Sequence, residues 1–324
     1  MESFIYSLSL IAAGLLVGKL LREAERRGKT PDRISLSIWM QRTTRFVMLG
    51  LNPIVVVGVF WNLRALEPEL ALLPALGVFS LTVGGLAAIG FAKLLKLNRA
   101  QTGSMFVSGS FTNLGSFGTL FCFVFFGEQS LVYVAMYRLL EELVYYTVGF
   151  PIARLYGTGS RGETVRSGLS KLVRDPFVLV LAGSTLAGLC LRATPWERPE
   201  LYGGVIDWIV PASTALLVVS IGYNMKWTAI RGYLLPCASI SAVKFVVVPL
   251  CVAGAAVSFG LAGLHDGLAL KVVVLLSAMP PAFTSLIPPQ LYKLDTDLAN
   301  SSWLLNSGMM VLVLPLLYGA VELL

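Results

Sequence analysis

Three charged side chains lie within one helical turn of an otherwise apolar stretch near the middle of the chain. Glu141 and Glu142 follow Arg138 by three and four residues, so on a helix both carboxylates lie beside its guanidinium. One cation and two anions leave a net negative charge that could bind a proton or a sodium ion. An ion pair with a structural role explains the same residues equally well, because intramembrane charges are costly and usually pair.

Another charge, Lys244, lies near the middle of a later apolar stretch. Its ammonium would reach the membrane surface only with difficulty. Lys244 could hold an anionic substrate or stand in for a coupling cation, and a salt bridge to one of the two glutamates is an equally good explanation. When Pro151 and Pro315 are aligned, Glu142 falls opposite Asn306, which makes Glu142 the preferred candidate for ion coupling.

Two segments combine membrane depth with residues that break helices. The first reads Ser-Gly-Ser-Phe-Thr-Asn-Leu-Gly-Ser-Phe-Gly over 108–118, and the second, 277–295, contains Pro-Pro pairs at 280–281 and 288–289. Glycine lets the backbone leave the helical conformation, and proline removes a hydrogen-bond donor. Broken backbone at membrane depth persists only where protein or a wet cavity covers it, and it points to the binding site of a transporter.

Helix breaks near Asn113 and near Thr284 would direct two half-helix N-termini, with free N–H groups and partial positive charge, into the protein. Such ends suit a carboxylate. The candidate substrate-binding residues are Thr112, Asn113, Gly115, Pro281, Thr284, Ser285 and Asn306. Segment 108–118 could instead be a small-residue packing seam between helices. The proline pair at 280–281 would shape the crossing of the two helices, and the pair at 288–289 predicts a second kink.

The elements that must position these groups are apolar stretches long enough to span a membrane. Hydrophobic residues make up 56% of the 324 residues and charged residues 13%, which is typical of polytopic helical membrane proteins. We predict an all-α protein with ten transmembrane helices. The predicted spans are Phe4–Leu21, Phe46–Trp61, Leu70–Leu94, Ser104–Phe126, Ser130–Leu155, Pro176–Leu191, Val205–Met225, Leu234–Leu261, Leu268–Tyr292 and Asn300–Leu323.

Loop charges predict how these spans are oriented. With the N-terminus outside, most of the 25 lysines and arginines fall in inner loops, which predicts both termini outside and a cytoplasmic linker at 156–175. Five spans on either side of that linker give two inverted five-helix repeats, 1–155 and 176–324. The breaks in spans four and nine then occupy corresponding places, as the crossing broken helices of secondary transporters do.

Composition also argues against other classes of function. The four cysteines form no CxxC pair and the chain has a single histidine, so neither a metal site nor a cofactor is expected. The net charge of +7 fits basic loops facing anionic lipid, and no nucleic-acid partner is expected. No aspartate lies in the interior of a predicted span, which argues against an intramembrane enzyme. The expected partners are the lipid bilayer and an organic anion, and a homodimer is left open.

Segment 279–292, Met-Pro-Pro-Ala-Phe-Thr-Ser-Leu-Ile-Pro-Pro-Gln-Leu-Tyr, with Leu-Pro at 314–315, resembles the last two helices of the auxin efflux carrier family. Thr112-Asn113 with Gly118 resembles that family's first crossover, where Pro-Asn is common; the family is related to the bile acid/sodium symporters. The resemblance implies a scaffold of spans one, two, six and seven and a mobile core of spans three to five and eight to ten. It also implies a substrate contact for Asn113 and elevator-type alternating access.

We therefore predict a secondary active transporter of a small organic anion, a mono- or dicarboxylate, in a bacterial inner membrane. Coupling to Na⁺ or H⁺ would use the charge network of Arg138, Glu141, Glu142 and Lys244. Two alternatives stay open: a sodium-coupled, bile-acid-type symporter of a larger amphipathic anion, and a ligand sensor that keeps the fold but does not transport.

Overall fold

The structure, a computed structural model, describes residues 2–28, 36–62, 68–157, 176–224, 230–264 and 266–324. The regular elements within these ranges are helices, which confirms the all-α prediction. Within these ranges, five helical stretches are long and apolar enough to cross a membrane: Leu36–Trp61, Leu72–Leu94, Leu201–Ser220, Leu234–Ser258 and Thr296–Glu322. The first and the fourth each consist of two helices joined by a π turn. Several other predicted spans consist of shorter pieces, so the ten crossings and the inverted repeats stay predictions. Residues 158–175, which make up most of the predicted linker, lie outside the described residues.

The chain divides into two compact units. The first comprises Met1–Leu66, Thr119–Val132 and Asp175–Met225, and the second comprises Glu67–Gly118, Tyr133–Arg174 and Lys226–Leu324. The first unit contains the spans expected in the scaffold, and the second contains most of those expected in the mobile core. Thr119–Val132 is the exception, because this piece of spans four and five belongs to the first unit.

The first unit is built around a cluster of branched apolar side chains. Its described helices are Glu2–Arg26, Leu36–Phe46, Asn52–Trp61, Thr119–Phe126, the start of Ser130–Tyr137, Pro176–Arg192 and Leu201–Asn224. Val55, Val59, Leu131, Ile206 and Val210 are buried together in this unit. In predicted membrane spans, close packing of such side chains contributes more to this contact than removal from water does, because lipid tails are equally apolar.

The second unit carries the predicted site. Its described helices are Leu72–Leu94, Arg99–Ser110, Glu141–Val144, Phe150–Tyr156, Leu234–Ala242, Val248–Ser258, Leu268–Ser277, Ile287–Tyr292 and Thr296–Glu322. Asn98 begins the second of these with a reciprocal capping box, in which its side chain and that of Gln101 each accept the other's backbone N–H. Asp295 caps the last helix by accepting the N–H of Leu298 at 2.9 Å.

Three π-helical turns each end two residues before a proline. The turns are Val47–Leu51 before Pro53, Tyr145–Gly149 before Pro151, and Val243–Val247 before Pro249. Proline cannot donate to the preceding turn and its ring crowds the carbonyl four residues back, and a wider turn accommodates both effects. Pro315, in contrast, lies inside a continuous helix. The alignment of Pro151 with Pro315 that favoured Glu142 therefore pairs two different local structures.

Both segments predicted to break are broken. The Arg99–Ser110 helix ends at Phe111, and a π turn, Leu114–Gly118, resumes the helix after a gap that we call the first break, 111–113. The second break, 278–282, separates Leu268–Ser277 from a 3₁₀ turn, Phe283–Leu286. The prolines at 288–289 occupy the first turn of the next helix, where an intrahelical donor is not needed. Their position accounts for them without the second kink that was predicted.

Candidate functional site

The two breaks pair with each other as extended backbone. Thr112 and Pro281 form an isolated antiparallel bridge. The N–H of Asn113 donates to the carbonyl of Pro280 at 2.9 Å, and the N–H of Ala282 donates to the carbonyl of Phe111 at 3.0 Å. Each break thus satisfies backbone groups that the other leaves without a helical partner. We call these paired residues, 111–113 and 280–282, the crossing.

The helix that leads into the first break packs very closely on its neighbour. A Cβ atom added to Gly109 would lie 2.4 Å from the carbonyl oxygen of Gly84, so only glycine permits this backbone contact. The hydroxyl of Ser110 also donates to the carbonyl of Leu81 at 3.0 Å. Both interpretations of segment 108–118 therefore apply, each to a different part of it. Its first residues pack closely against a neighbouring helix, and the helix break begins two residues after Gly109.

Asn113 occupies the N-terminus of the half-helix that follows the first break. It is 7% exposed, and its Oδ1 accepts the backbone N–H of Ser116 at 3.3 Å. One N–H group that was expected to be free for a substrate is therefore capped by Asn113 itself. The guanidinium of Arg138 lies against the same turn, because a Cβ atom at Gly115 would be 3.1 Å from both of its terminal nitrogens. This half-helix end thus has a cation beside it.

Lys244 brings a second cation to the crossing. Its side chain is 1% exposed, and its ammonium donates to the hydroxyl oxygen of Thr112 at 2.6 Å. That hydroxyl in turn donates to the carbonyl of Ser110 at 3.3 Å. Among the described residues Thr112 is the hydrogen-bond partner of Lys244, so the ammonium is held by a neutral hydroxyl and two of its three protons have no acceptor.

A carboxylate and a tyrosine complete the network on the other side of Thr112. The Tyr145 hydroxyl accepts the backbone N–H of Thr112 at 2.8 Å and donates to Oε1 of Glu141 at 2.9 Å. The ring of Tyr145 stacks on Phe111 with centroids 4.0 Å apart. Oε2 of Glu141 accepts from Nε of Arg138 at 3.2 Å. A continuous chain of contacts thus links the Arg138 guanidinium to the Lys244 ammonium.

Tyr145 is the residue that the sequence analysis missed. It follows Glu141 by four residues, so a helix places both on one face, and this spacing was a signal that could have been read. Glu142 is half-buried at the next position along the helix. The hydrogen bonds described at the crossing involve Glu141, and the preference for Glu142 as the coupling residue stays a prediction.

Three predicted substrate contacts lie beyond the second break. Among the described residues, the buried hydroxyl oxygens of Thr284 and Ser285 have no hydrogen-bond partner. Asn306 is fully buried, and its amide donates to the carbonyl of Ser302 at 2.8 Å while its Oδ1 has no partner among the same residues. The described hydrogen bonds do not connect these three side chains to Thr112, so their contact with a substrate stays a prediction.

An ammonium, a guanidinium and a carboxylate lie around the crossing in a largely buried setting, where electrostatic interactions are much stronger than in water. This set of groups can bind an anion through the two cations and can hold a proton on the carboxylate. Within the described ranges, no group of three or more His, Cys, Asp and Glu side chains could hold a metal ion.

Comparison with known proteins gives two findings. A family model described as "Membrane transport protein" matches residues 62–318, which include both breaks and every candidate residue named above. A protein of Methanothermobacter thermautotrophicus (strain Delta H), described as an uncharacterized transporter, is 24% identical over 249 residues. That similarity covers 76% of this chain and 78% of the relative.

Proposed function

Because the chain belongs to the membrane transport protein family, also known as the auxin efflux carrier family, we propose that it is a secondary active transporter of a small organic anion. The family and the apolar helices make it an integral, multi-pass membrane protein. The proposed substrate class is a mono- or dicarboxylate. The observation that carries this choice is the fully buried Lys244 ammonium at the crossing of two broken helices.

The proposed binding mode uses the groups that the crossing brings together. The two ammonium protons of Lys244 that Thr112 does not use can donate to a carboxylate oxygen, and charge-assisted hydrogen bonds of this kind are strong. The Arg138 guanidinium beside Gly115 adds positive charge at the half-helix end.

Asn113 holds that half-helix end in place, because its side chain caps the N–H of Ser116. Thr284, on the turn that follows the second break, would offer its hydroxyl from the other half-helix.

The proposed mechanism is elevator-type alternating access by ten spans in two inverted repeats, with both termini outside a bacterial inner membrane. Such a movement requires two bodies that can move separately, and the division of the chain into two compact units supports it. Paired breaks in two helices support a binding site at their crossing, since broken transmembrane helices characteristically form such sites.

The test is uptake of radiolabelled lactate and succinate, a mono- and a dicarboxylate, into liposomes that contain the purified protein. Asn113→Ala should abolish uptake without reducing expression, because the half-helix loses its cap and its orientation. Gly254→Ala serves as a control, since a Cβ atom there meets nothing within 4 Å. Normal uptake by Asn113→Ala would refute the assignment of the site.

Two other outcomes would favour the alternatives. Sodium-stimulated uptake of a large amphipathic anion in place of lactate and succinate would favour a bile-acid-type symporter. Saturable ligand binding without flux would favour a sensor. A thermal-shift screen of carboxylates, with and without sodium, separates these cases before any liposome is made.

A further inference from the structure

Four charged groups of the described residues lie around the crossing, and their charges cancel. Arg138 and Lys244 supply two positive charges, and Glu141 and Glu142 supply two negative charges when both are ionised. Lys244 is 1% exposed and Glu141 is 6% exposed, so both charges are withdrawn from water. A net charge in such surroundings is strongly unfavourable. The substrate-free site is therefore electrically balanced.

A bound carboxylate disturbs this balance. The ammonium of Lys244 has three protons and uses one on Thr112, so it can receive an anion without first losing a partner. The added negative charge leaves the occupied site with one unneutralised charge. A single cation taken up with the anion would restore neutrality, and the contacts of Glu141 indicate which cation it is.

Both carboxylate oxygens of Glu141 already accept a hydrogen bond, Oε2 from Arg138 and Oε1 from Tyr145. A sodium ion would need several oxygen ligands around it, whereas a proton needs only one remaining lone pair. Among the described residues, the titratable and charged groups near Glu141 are Arg138, Tyr137, Tyr145 and Glu142 on its own stretch of chain and Lys244 on another. Once an anion neutralises Lys244, Glu141 loses part of its positive surroundings.

We infer that the protein takes up one proton with each monocarboxylate anion and that Glu141 carries this proton. The inference rests on the proposed function. Water on the side of entry supplies the proton to a carboxylate oxygen of Glu141, and the loaded site then holds two cations, the anion, Glu142 and a neutral carboxyl group. Release on the opposite side returns the proton to water and restores the Glu141 carboxylate.

The experiment measures lactate accumulation by the full-length protein in liposomes, in sodium-free potassium buffers, with the membrane potential set by valinomycin. Lactate that enters with one proton should accumulate about tenfold per unit of imposed pH difference and should not respond to the potential. Lactate that enters alone should accumulate about fifty-fold at an inside-positive potential of about 100 mV, because each charge gains about 2.3 kcal/mol in that field. Protein-free liposomes correct for passive entry of lactic acid.

Variants then locate the proton. Glu141→Gln should lose the pH dependence and acquire the potential dependence. Asp297→Asn changes an exposed carboxylate in the same way and should behave as the wild type. If Glu141→Gln does not fold, infrared difference spectra of the wild type and of Glu141→Asp replace it. Both should show a protonated carboxyl band on lactate binding, and the frequency of that band should differ between them.

Three results would overturn the inference: potential-driven accumulation by the wild type, a requirement for sodium, or coupling that stays intact in Glu141→Gln. Absence of the infrared band would also overturn it. Uptake of neither lactate nor succinate would instead refute the proposed function, so failure of the function and failure of the inference give different observations.

Discussion

Tyr145→Phe removes one hydroxyl from the crossing and keeps the ring that stacks on Phe111. The substitution leaves the buried N–H of Thr112 without its acceptor at 2.8 Å, which costs about 1–3 kcal/mol. It also removes the hydrogen bond to the Glu141 carboxylate, which is worth about 1.5–3 kcal/mol for a charged partner. We expect a total loss of about 2.5–6 kcal/mol in the free energy of unfolding, or a fall in melting temperature on the order of 10 °C.

The two parts of this loss can be separated by a double-mutant cycle with Glu141→Gln. In that background Tyr145→Phe still leaves the N–H of Thr112 without an acceptor. It no longer removes a hydrogen bond to a charged carboxylate, because residue 141 is then a neutral amide. The double variant should therefore be more stable than the sum of the single effects by about 1.5–3 kcal/mol. Melting temperatures of the detergent-solubilised protein, followed by tryptophan fluorescence, provide the measurement.

Tyr233→Phe is a matched control for this cycle. The Tyr233 hydroxyl also donates to a carboxylate, Asp295 Oδ2 at 3.0 Å, but the site is only partly buried and no backbone N–H depends on the hydroxyl. Its loss should be about 1 kcal/mol. Equal losses for Tyr145→Phe and Tyr233→Phe, or additive effects in the cycle, would refute the network proposed for the crossing.

Two further predictions concern packing and capping, and both are checked by melting temperature. Gly109→Ala should lower it, because its Cβ would lie 2.4 Å from the carbonyl oxygen of Gly84 and such overpacking costs about 1–3 kcal/mol; Gly254→Ala, which meets nothing within 4 Å, should raise it slightly. Similar melting temperatures for Gly109→Ala and Gly254→Ala would contradict the prediction that Gly109 is needed for the close backbone contact with Gly84. Asp295→Ala should cost about 2 kcal/mol, because it leaves the N–H of Leu298 uncapped and removes the acceptor of the Tyr233 hydroxyl, whereas Asp295→Asn keeps the cap and should cost about 1 kcal/mol. Equal losses for Ala and Asn would show that the cap is not the reason.

The breaks could be predicted from the sequence because their causes are local. Glycine and proline change the backbone at their own positions, and both breaks lie in the segments rich in these residues. The second break was expected near Thr284 but lies at 278–282, since a 3₁₀ turn begins at Phe283, two residues after the proline pair at 280–281. The prolines at 288–289 looked like a further kink because periodicity alone does not show where a helix restarts. At the start of a helix the same residues are favourable.

The partners at the crossing could not be predicted in the same way. Lys244 and Thr112 are 132 residues apart in the chain, and no pattern within either helix indicates their contact. The spacing from Arg138 does not distinguish Glu141 from Glu142, because both lie within one turn of it. The hydrogen bond of Glu141 to Tyr145 depends on tertiary packing as well as on the four-residue spacing, because the ring of Tyr145 stacks on Phe111 in the first break.

Neither break is stable on its own, because a broken helix at membrane depth exposes backbone groups that cost several kcal/mol each when they are unpaired. The first break gives its Phe111 carbonyl to Ala282, and the second gives its Pro280 carbonyl to Asn113. Pro280 and Pro281 of the second break have no backbone N–H. The carbonyl groups of that break therefore depend on N–H donors from other segments. Any substitution that straightens one helix therefore leaves unpaired groups on the other. The same pairing holds Thr112 between Lys244 and Tyr145. The contacts that satisfy the backbone groups of the two breaks therefore also position the groups proposed to bind the substrate.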